Sequence, residues 1–152
     1  MRRIPLFLTL LLPACAAVSP VESGDRSFRL GDYADALADY ELAAAGGADA
    51  GLQARIDATR HELVLQHTRD LLHLEQPQRA LEVLAAAERL RPGAPAAAAL
   101  RGRAHRKLSV RYAELGREHY SSERPGEAFE AFTQALAYDP ENEIAVEGQG
   151  LA

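Results

Sequence analysis

The sequence has no tryptophan, one cysteine and only 6% aromatic residues among its 152 positions. A single cysteine excludes an internal disulfide framework and a four-cysteine zinc site. Sandwiches and barrels of β-strands depend on aromatic and β-branched residues, which are scarce here, whereas 30 positions are alanine. Because alanine has the highest helix propensity, this composition predicts an all-α protein.

Basic residues are also in deficit. The chain carries 17 lysines and arginines against 22 acidic residues, which gives a formal net charge of −5. Nucleic-acid-binding proteins depend on a basic surface, so this balance argues against a nucleic-acid partner. With 47% hydrophobic and 26% charged residues, the chain has the composition of one soluble globular domain.

The N-terminal residues have the pattern of a secretory signal. Arg2 and Arg3 precede an apolar run from Ile4 to Leu12, and small residues follow. As a helix this run would span about 14 Å, too little for a bilayer core of about 30 Å. The ending Leu12-Pro13-Ala14-Cys15 resembles the bacterial lipobox, in which the cysteine is lipidated and becomes the mature N-terminus.

The lipobox resemblance implies a lipid-anchored protein of the bacterial envelope. We expect a signal peptide over 1–14, a short tether over 15–21 and a folded domain over 22–152. The neutral Ala16 after the cysteine implies sorting to the outer membrane, facing the periplasm. The alternative is an ordinary signal peptide that contains a cysteine.

The folded part contains a repeat, which aligns without gaps over 17–50, 61–94 and 109–142. The third copy reads Tyr112-x2-Leu115-Gly116-x2-His119, followed by Ala128-x3-Phe132 and then by Pro140. This pattern resembles the tetratricopeptide repeat. The resemblance implies a stack of about three helical hairpins in an α-α superhelix, and it assigns packing and turn roles to Gly31, Ala36, Tyr40, Ala80, Leu84, Gly116, Ala128, Phe132 and Pro140.

The copies begin 44 and 48 residues apart, whereas the usual period is 34. The excess falls in two helix-like insertions, 51–60 and 95–108, which continue the apolar stripe of the next copy. We therefore predict that the first helices of copies two and three are extended at their N-terminal ends, and that the extensions pack against each other. A separate short helix in each insertion is the alternative. The last twelve residues predict a further helix that either folds back on the stack or is covered by another molecule.

The sequence shows no pattern typical of catalysis or of a cofactor site. His61 and His67 are six residues apart and therefore point about 240° apart on a helix, which excludes the zinc-protease pair. No serine elbow or phosphate-binding loop is present. A basic cluster runs from Arg101 to Arg111, and we predict that it wraps most of a helix as a solvated face. Attraction to anionic lipid or to an acidic partner is the alternative.

The tetratricopeptide resemblance implies a concave groove that binds a peptide or helix. Transferred by position, its lining residues are Phe28, Leu65, Arg69, Leu72, Arg117 and Tyr120. Apolar residues beside two arginines fit a peptide with apolar side chains and a carboxylate. We therefore predict a non-enzymatic interaction scaffold that needs no cofactor or metal.

Three alternatives stay open for this scaffold. It could serve as an accessory assembly factor for envelope machinery such as pilus secretins, barrel insertion or peptidoglycan synthesis. It could be a non-catalytic subunit of an envelope enzyme. It could also be a homo-oligomer that forms through its C-terminal end.

The lipid anchor predicts that Cys15→Ala abolishes acylation, because the Cys15 thiol would be the acyl acceptor. In bacteria fed labelled palmitate, we expect label in the wild type and none in Cys15→Ala at matched protein levels. Equal labelling of the two proteins, or an unlabelled wild type, would contradict the anchor.

Overall fold

The structure is a computed structural model, which describes residues 18–152. This range contains seven helices and no strand, so the all-α fold of helical hairpins is confirmed. The proposed signal peptide over 1–14 and Cys15 lie outside the described residues. The helices are α1 (Pro20–Leu30), α2 (Tyr33–Ala44), α3 (Ala50–His73), α4 (Pro77–Leu90), α5 (Pro95–Ser121), α6 (Pro125–Tyr138) and α7 (Glu143–Leu151).

Local sequence signals mark most helix starts and one helix end. Ser19 and Glu22 form a capping box at the start of α1, and the side chains of Asp49 and Asn142 cap α3 and α7. Four helices begin with proline, which lacks the N–H that would stay unpaired in a first turn. Gly31 ends α1 with φ of 84°, a left-handed conformation that favours glycine.

The hydrophobic core is divided into three clusters, and each belongs to one three-helix unit. Unit one consists of α1, α2 and the first half of α3 (50–60). Unit two consists of the second half of α3 (61–73), α4 and the first half of α5 (95–108). Unit three consists of the second half of α5 (109–121), α6 and α7. The two long helices are therefore each shared by successive units.

A large side chain on the middle helix lies at the centre of each unit. Tyr40, Leu84 and Phe132 are all buried, and each has one counterpart on the preceding helix and one on the following helix, always at the same sequence spacing. These triplets are Gly24–Tyr40–Ile56, Thr68–Leu84–Leu100 and Gly116–Phe132–Gly148. The glycines have no side chain, so the rings of Tyr40 and Phe132 contact the neighbouring helix backbones directly.

The predicted extensions of the first helices are confirmed, since α3 has 24 residues and α5 has 27. The alternative of a separate short helix in each insertion is excluded. The prediction that the two extensions pack against each other was wrong. Leu52 and Ile56 of the first extension pack on α1 and α2, whereas Leu100 and Ala104 of the second pack on α4 and the second half of α3.

The C-terminal helix α7 folds back on the third unit. Ala145 is fully buried against the cluster that contains Phe132 and Ala135. Asn142 caps α7 and also donates a hydrogen bond of 2.8 Å to the buried Ser109 hydroxyl of α5. Pro140, which the repeat resemblance assigned to a turn, lies exposed in the turn before α7.

The contact at Phe132 predicts that Gly116→Ala destabilises the fold. A Cβ at Gly116 would lie 2.6 Å from the Phe132 ring, and overpacking of this kind costs about 1–3 kcal/mol. Gly102→Ala in the same helix is the matched control, because its Cβ would meet only the end of the Arg106 side chain at 3.6 Å. We expect that control to stabilise the protein by about 0.5–1 kcal/mol. Urea unfolding followed by circular dichroism measures both, and a Gly116→Ala protein as stable as Gly102→Ala would contradict the packing role.

Candidate functional site

The histidines do not converge on a site. His61 is buried, with Nδ1 3.4 Å from a Glu62 carboxylate oxygen. His105 packs edge-on against Tyr138 at a ring separation of 5.6 Å, whereas His67 and His73 are exposed on α3. Within residues 18–152, no group of three or more histidine, cysteine, aspartate or glutamate side chains could hold a metal ion.

One polar cluster connects the three helices of unit one. The Tyr40 hydroxyl donates a hydrogen bond of 2.7 Å to Asp25, and Arg55 of α3 forms an ion pair with the same carboxylate oxygen. The hydrogen bonds from Tyr40 and Arg55 hold the pKa of Asp25 below its ordinary 3.8. Burial and the hydrogen bond to Asp25 raise the pKa of Tyr40 to about 12. Both shifts lead away from neutral pH, so this cluster is suited to holding helices together and not to proton transfer.

Two of the six residues assigned to the groove lie in the core instead. Leu65 and Leu72 are 0% and 1% exposed, in the cluster that α3, α4 and the first half of α5 share. They were assigned to the groove because the repeat pattern places them on the outward side of a first helix. The first half of α5 covers that side in unit two, and the assignment of both leucines was therefore wrong.

Phe28 and Arg69 are also separate from the other groove candidates. Phe28 is half-buried and packs edge-on against Tyr33 at 5.3 Å. Arg69 lies on the second half of α3, which runs beside the first half of α5. Lys107 pairs with Glu75 just beyond the end of α3, and this register places Arg69 about 24 Å from Arg117 along the helix axis. The two arginines therefore cannot grip one carboxylate together.

Arg117 and Tyr120, in contrast, lie together in an open cavity of about 670 Å³ between the end of α5 and α7. Tyr120 is 48% exposed, and Ile144 and Leu151 of α7 are also exposed apolar side chains at this site. We call this cavity the C-terminal groove. Its walls are formed by Arg117, Tyr120, Phe132, Ile144, Glu147 and Leu151.

Comparison of the units explains why this groove is open. One position is equivalent in the three units: it lies four residues after the first member of each triplet and is occupied by Phe28, Leu72 and Tyr120. In unit one Phe28 packs against Tyr33, and in unit two Leu72 packs beneath α5. In unit three α7 has nine residues and leaves Tyr120 half-exposed. Ile144 and Leu151 were not predicted as groove residues; the signal available in the sequence was their apolar character within the final predicted helix.

A second surface lies near the middle of α5, where the six basic residues between Arg101 and Arg111 were predicted to wrap most of the helix. That prediction was only partly right. Arg101 pairs with Glu88 of α4, and His105 packs on Tyr138 of α6. The other four basic residues lie on one side of the helix, within an arc of about 140°. We call this side the α5 basic face, and its members are Arg103, Arg106, Lys107 and Arg111.

No protein-family model matches the chain, and no curated protein or solved structure shows significant similarity to it. Among the described helices, none is both long and apolar enough to cross a membrane. The C-terminal groove and the α5 basic face are therefore the features of this chain that bear on its function.

The cluster in unit one predicts a pH-dependent effect of Asp25→Asn. The folded-state pKa of Asp25 is lowered, so its contribution to stability is present above about pH 4 and is lost as the pH falls through the folded-state value. We expect the wild type to be more stable than Asp25→Asn at pH 7, with a difference that shrinks below pH 4. Urea unfolding midpoints from pH 7 to pH 3 measure this, with the exposed Asp70→Asn as the control. A stability difference between the wild type and Asp25→Asn that is as large at pH 3 as at pH 7 would contradict the role given to the Asp25 carboxylate.

Proposed function

We propose that this chain is a non-enzymatic interaction protein that binds a segment of a partner protein in the C-terminal groove. The observation that carries this proposal is the exposure of Tyr120 beside Ile144 and Leu151. At the equivalent position unit two buries Leu72, and unit one half-buries Phe28 against Tyr33. Clustered exposed apolar side chains with a polar rim are typical of protein-binding sites.

The chemistry of the groove favours a peptide segment over a small molecule. Its walls combine aromatic and aliphatic surface with one cation, Arg117, and two carboxylates, Glu118 and Glu147. Among the described residues, no carboxylate lies within 4.0 Å of the Arg117 guanidinium. Arg117 can therefore donate hydrogen bonds to a carboxylate or a backbone carbonyl of the partner, while Tyr120 and Leu151 contact apolar side chains.

We further propose that the three units are tetratricopeptide-like hairpins in which the helix that covers one hairpin continues as the first helix of the next. The constant sequence spacing within the triplets around Tyr40, Leu84 and Phe132 supports this interpretation. It also accounts for repeat starts that are further apart than the usual period, because each covering helix adds residues to its copy.

The cellular setting is proposed from the N-terminal sequence alone. A signal peptide over 1–14 and a lipidated Cys15 would tether the domain to the outer membrane, facing the periplasm. The partner would then be a protein of the bacterial envelope.

The groove predicts site-specific crosslinking in living cells. With a photoreactive benzophenone side chain in place of Tyr120, we expect a discrete adduct, because this position faces the bound segment. The same probe at Leu42, which is 64% exposed on α2, is the matched control and should give none. Adding Arg117→Ala should reduce the Tyr120 adduct about tenfold, as loss of a charged hydrogen bond costs about 1.5–3 kcal/mol.

Arg69→Ala provides the second control, because Arg69 lies outside the groove and should leave the adduct unchanged. Equal adducts from positions 120 and 42, or an adduct that is indifferent to Arg117→Ala, would overturn the proposal. An adduct with a second copy of the chain would assign the groove to self-association.

A further inference from the structure

The α5 basic face and the C-terminal groove follow one another along the same helix. Arg106, Lys107 and Arg111 surround Val110, which is 49% exposed, and they form one wall of an open cavity of about 680 Å³. Glu75 and Pro77, at the turn between α3 and α4, form the opposite wall. Arg117 and Tyr120 follow two to three turns later on α5 and form the wall of the C-terminal groove.

The basic face carries cations that the protein itself does not neutralise. Lys107 is paired with Glu75 at 2.5 Å. In the part of the chain that the structure describes, the guanidinium groups of Arg103, Arg106 and Arg111 have no carboxylate within 4.0 Å. These three arginines are exposed on a chain whose net charge is −5. The local field is therefore opposite in sign to the overall charge, and this favours an anionic ligand.

We propose that the partner segment is bipartite, with an acidic stretch on the α5 basic face and an apolar stretch in the C-terminal groove. This rests on the function proposed for that groove. Val110 and Tyr120 are ten residues apart on α5, which corresponds to about 15 Å along the helix axis. An extended peptide advances about 3.3 Å per residue, so the two stretches are separated by about five residues.

The observations favour an acidic peptide over an anionic membrane surface. Glu75 and Glu114 lie at the same cavity as the arginines, and both are exposed. A dense layer of negative head groups would repel these carboxylates. A peptide, in contrast, can place its own carboxylates against Arg106 and Arg111 and away from Glu75 and Glu114. A membrane surface would also leave the apolar groove beside Tyr120 without an occupant.

Selection from a phage library of random dodecapeptides on the immobilised full-length chain tests the proposal. We expect the selected peptides to carry aspartate or glutamate near one end and apolar residues about five positions away. When the same library is selected on the Arg106→Glu/Arg111→Glu double variant, the enrichment of acidic residues should disappear while the enrichment of apolar residues stays. Arg89→Glu/Arg91→Glu is the matched control, since both arginines are exposed at the end of α4 and lie outside the two cavities. Its peptides should match those of the wild type.

The affinity of one selected peptide measures how much the α5 basic face contributes to binding. We expect its Kd to rise at least tenfold with Arg106→Glu/Arg111→Glu and also when its acidic residues are replaced by serine. Raising the salt concentration should weaken binding by screening the charges.

The outcomes separate this inference from the proposed function. Apolar enrichment without acidic enrichment would overturn the bipartite partner and leave the groove intact, whereas a selection that yields no binding peptide would overturn both. Sedimentation with vesicles of phosphatidylcholine and phosphatidylglycerol forms the third arm. Vesicle binding that needs Arg106 and Arg111, with peptide binding that does not, would assign the face to the membrane and overturn the proposal.

Discussion

A large side chain on the middle helix, inserted between its two neighbours, is the contact that organises each unit of this protein. The requirements of this contact are clearest at Phe132. The Phe132 ring lies against Gly116 on one side and Gly148 on the other. A Cβ at either glycine would fall within 2.6 Å of that ring, so the contact depends on the absence of a side chain. Tyr40 and Gly24 repeat the arrangement in unit one, and there the Tyr40 hydroxyl also reaches Asp25.

The long helices extend this local packing into a single architecture. The first half of α3 completes unit one and its second half begins unit two, and α5 connects units two and three in the same way. Because a continuous helix resists bending, each unit fixes the position of the next along the helix axis. One consequence is that α5 carries both the basic face and one wall of the C-terminal groove, which keeps the spacing between these two surfaces constant.

The candidate site could be predicted only in part. Arg117 and Tyr120 were found from their positions in the repeat pattern, and the structure places them together. Leu65 and Leu72 were misplaced by the same pattern, in which the outward side of a first helix is open. In unit two that side is covered by α5, whose position depends on packing between residues far apart in sequence. Ile144 and Leu151 were missed as groove residues for the same reason, since a repeat pattern does not state which helix lies opposite.

Local sequence signals account for the helical class, the starts of most helices and the continuation of α3 and α5 through their insertions. These features depend on local propensity, capping residues and the periodicity of apolar positions, all of which act within a few turns of the chain. The tertiary structure alone decided that the extensions pack on the preceding hairpins and that four basic residues remain on one exposed side of α5. It also decided that Tyr120 stays open while Leu72 is buried. These outcomes depend on which helices meet, and contacts between distant segments set that choice.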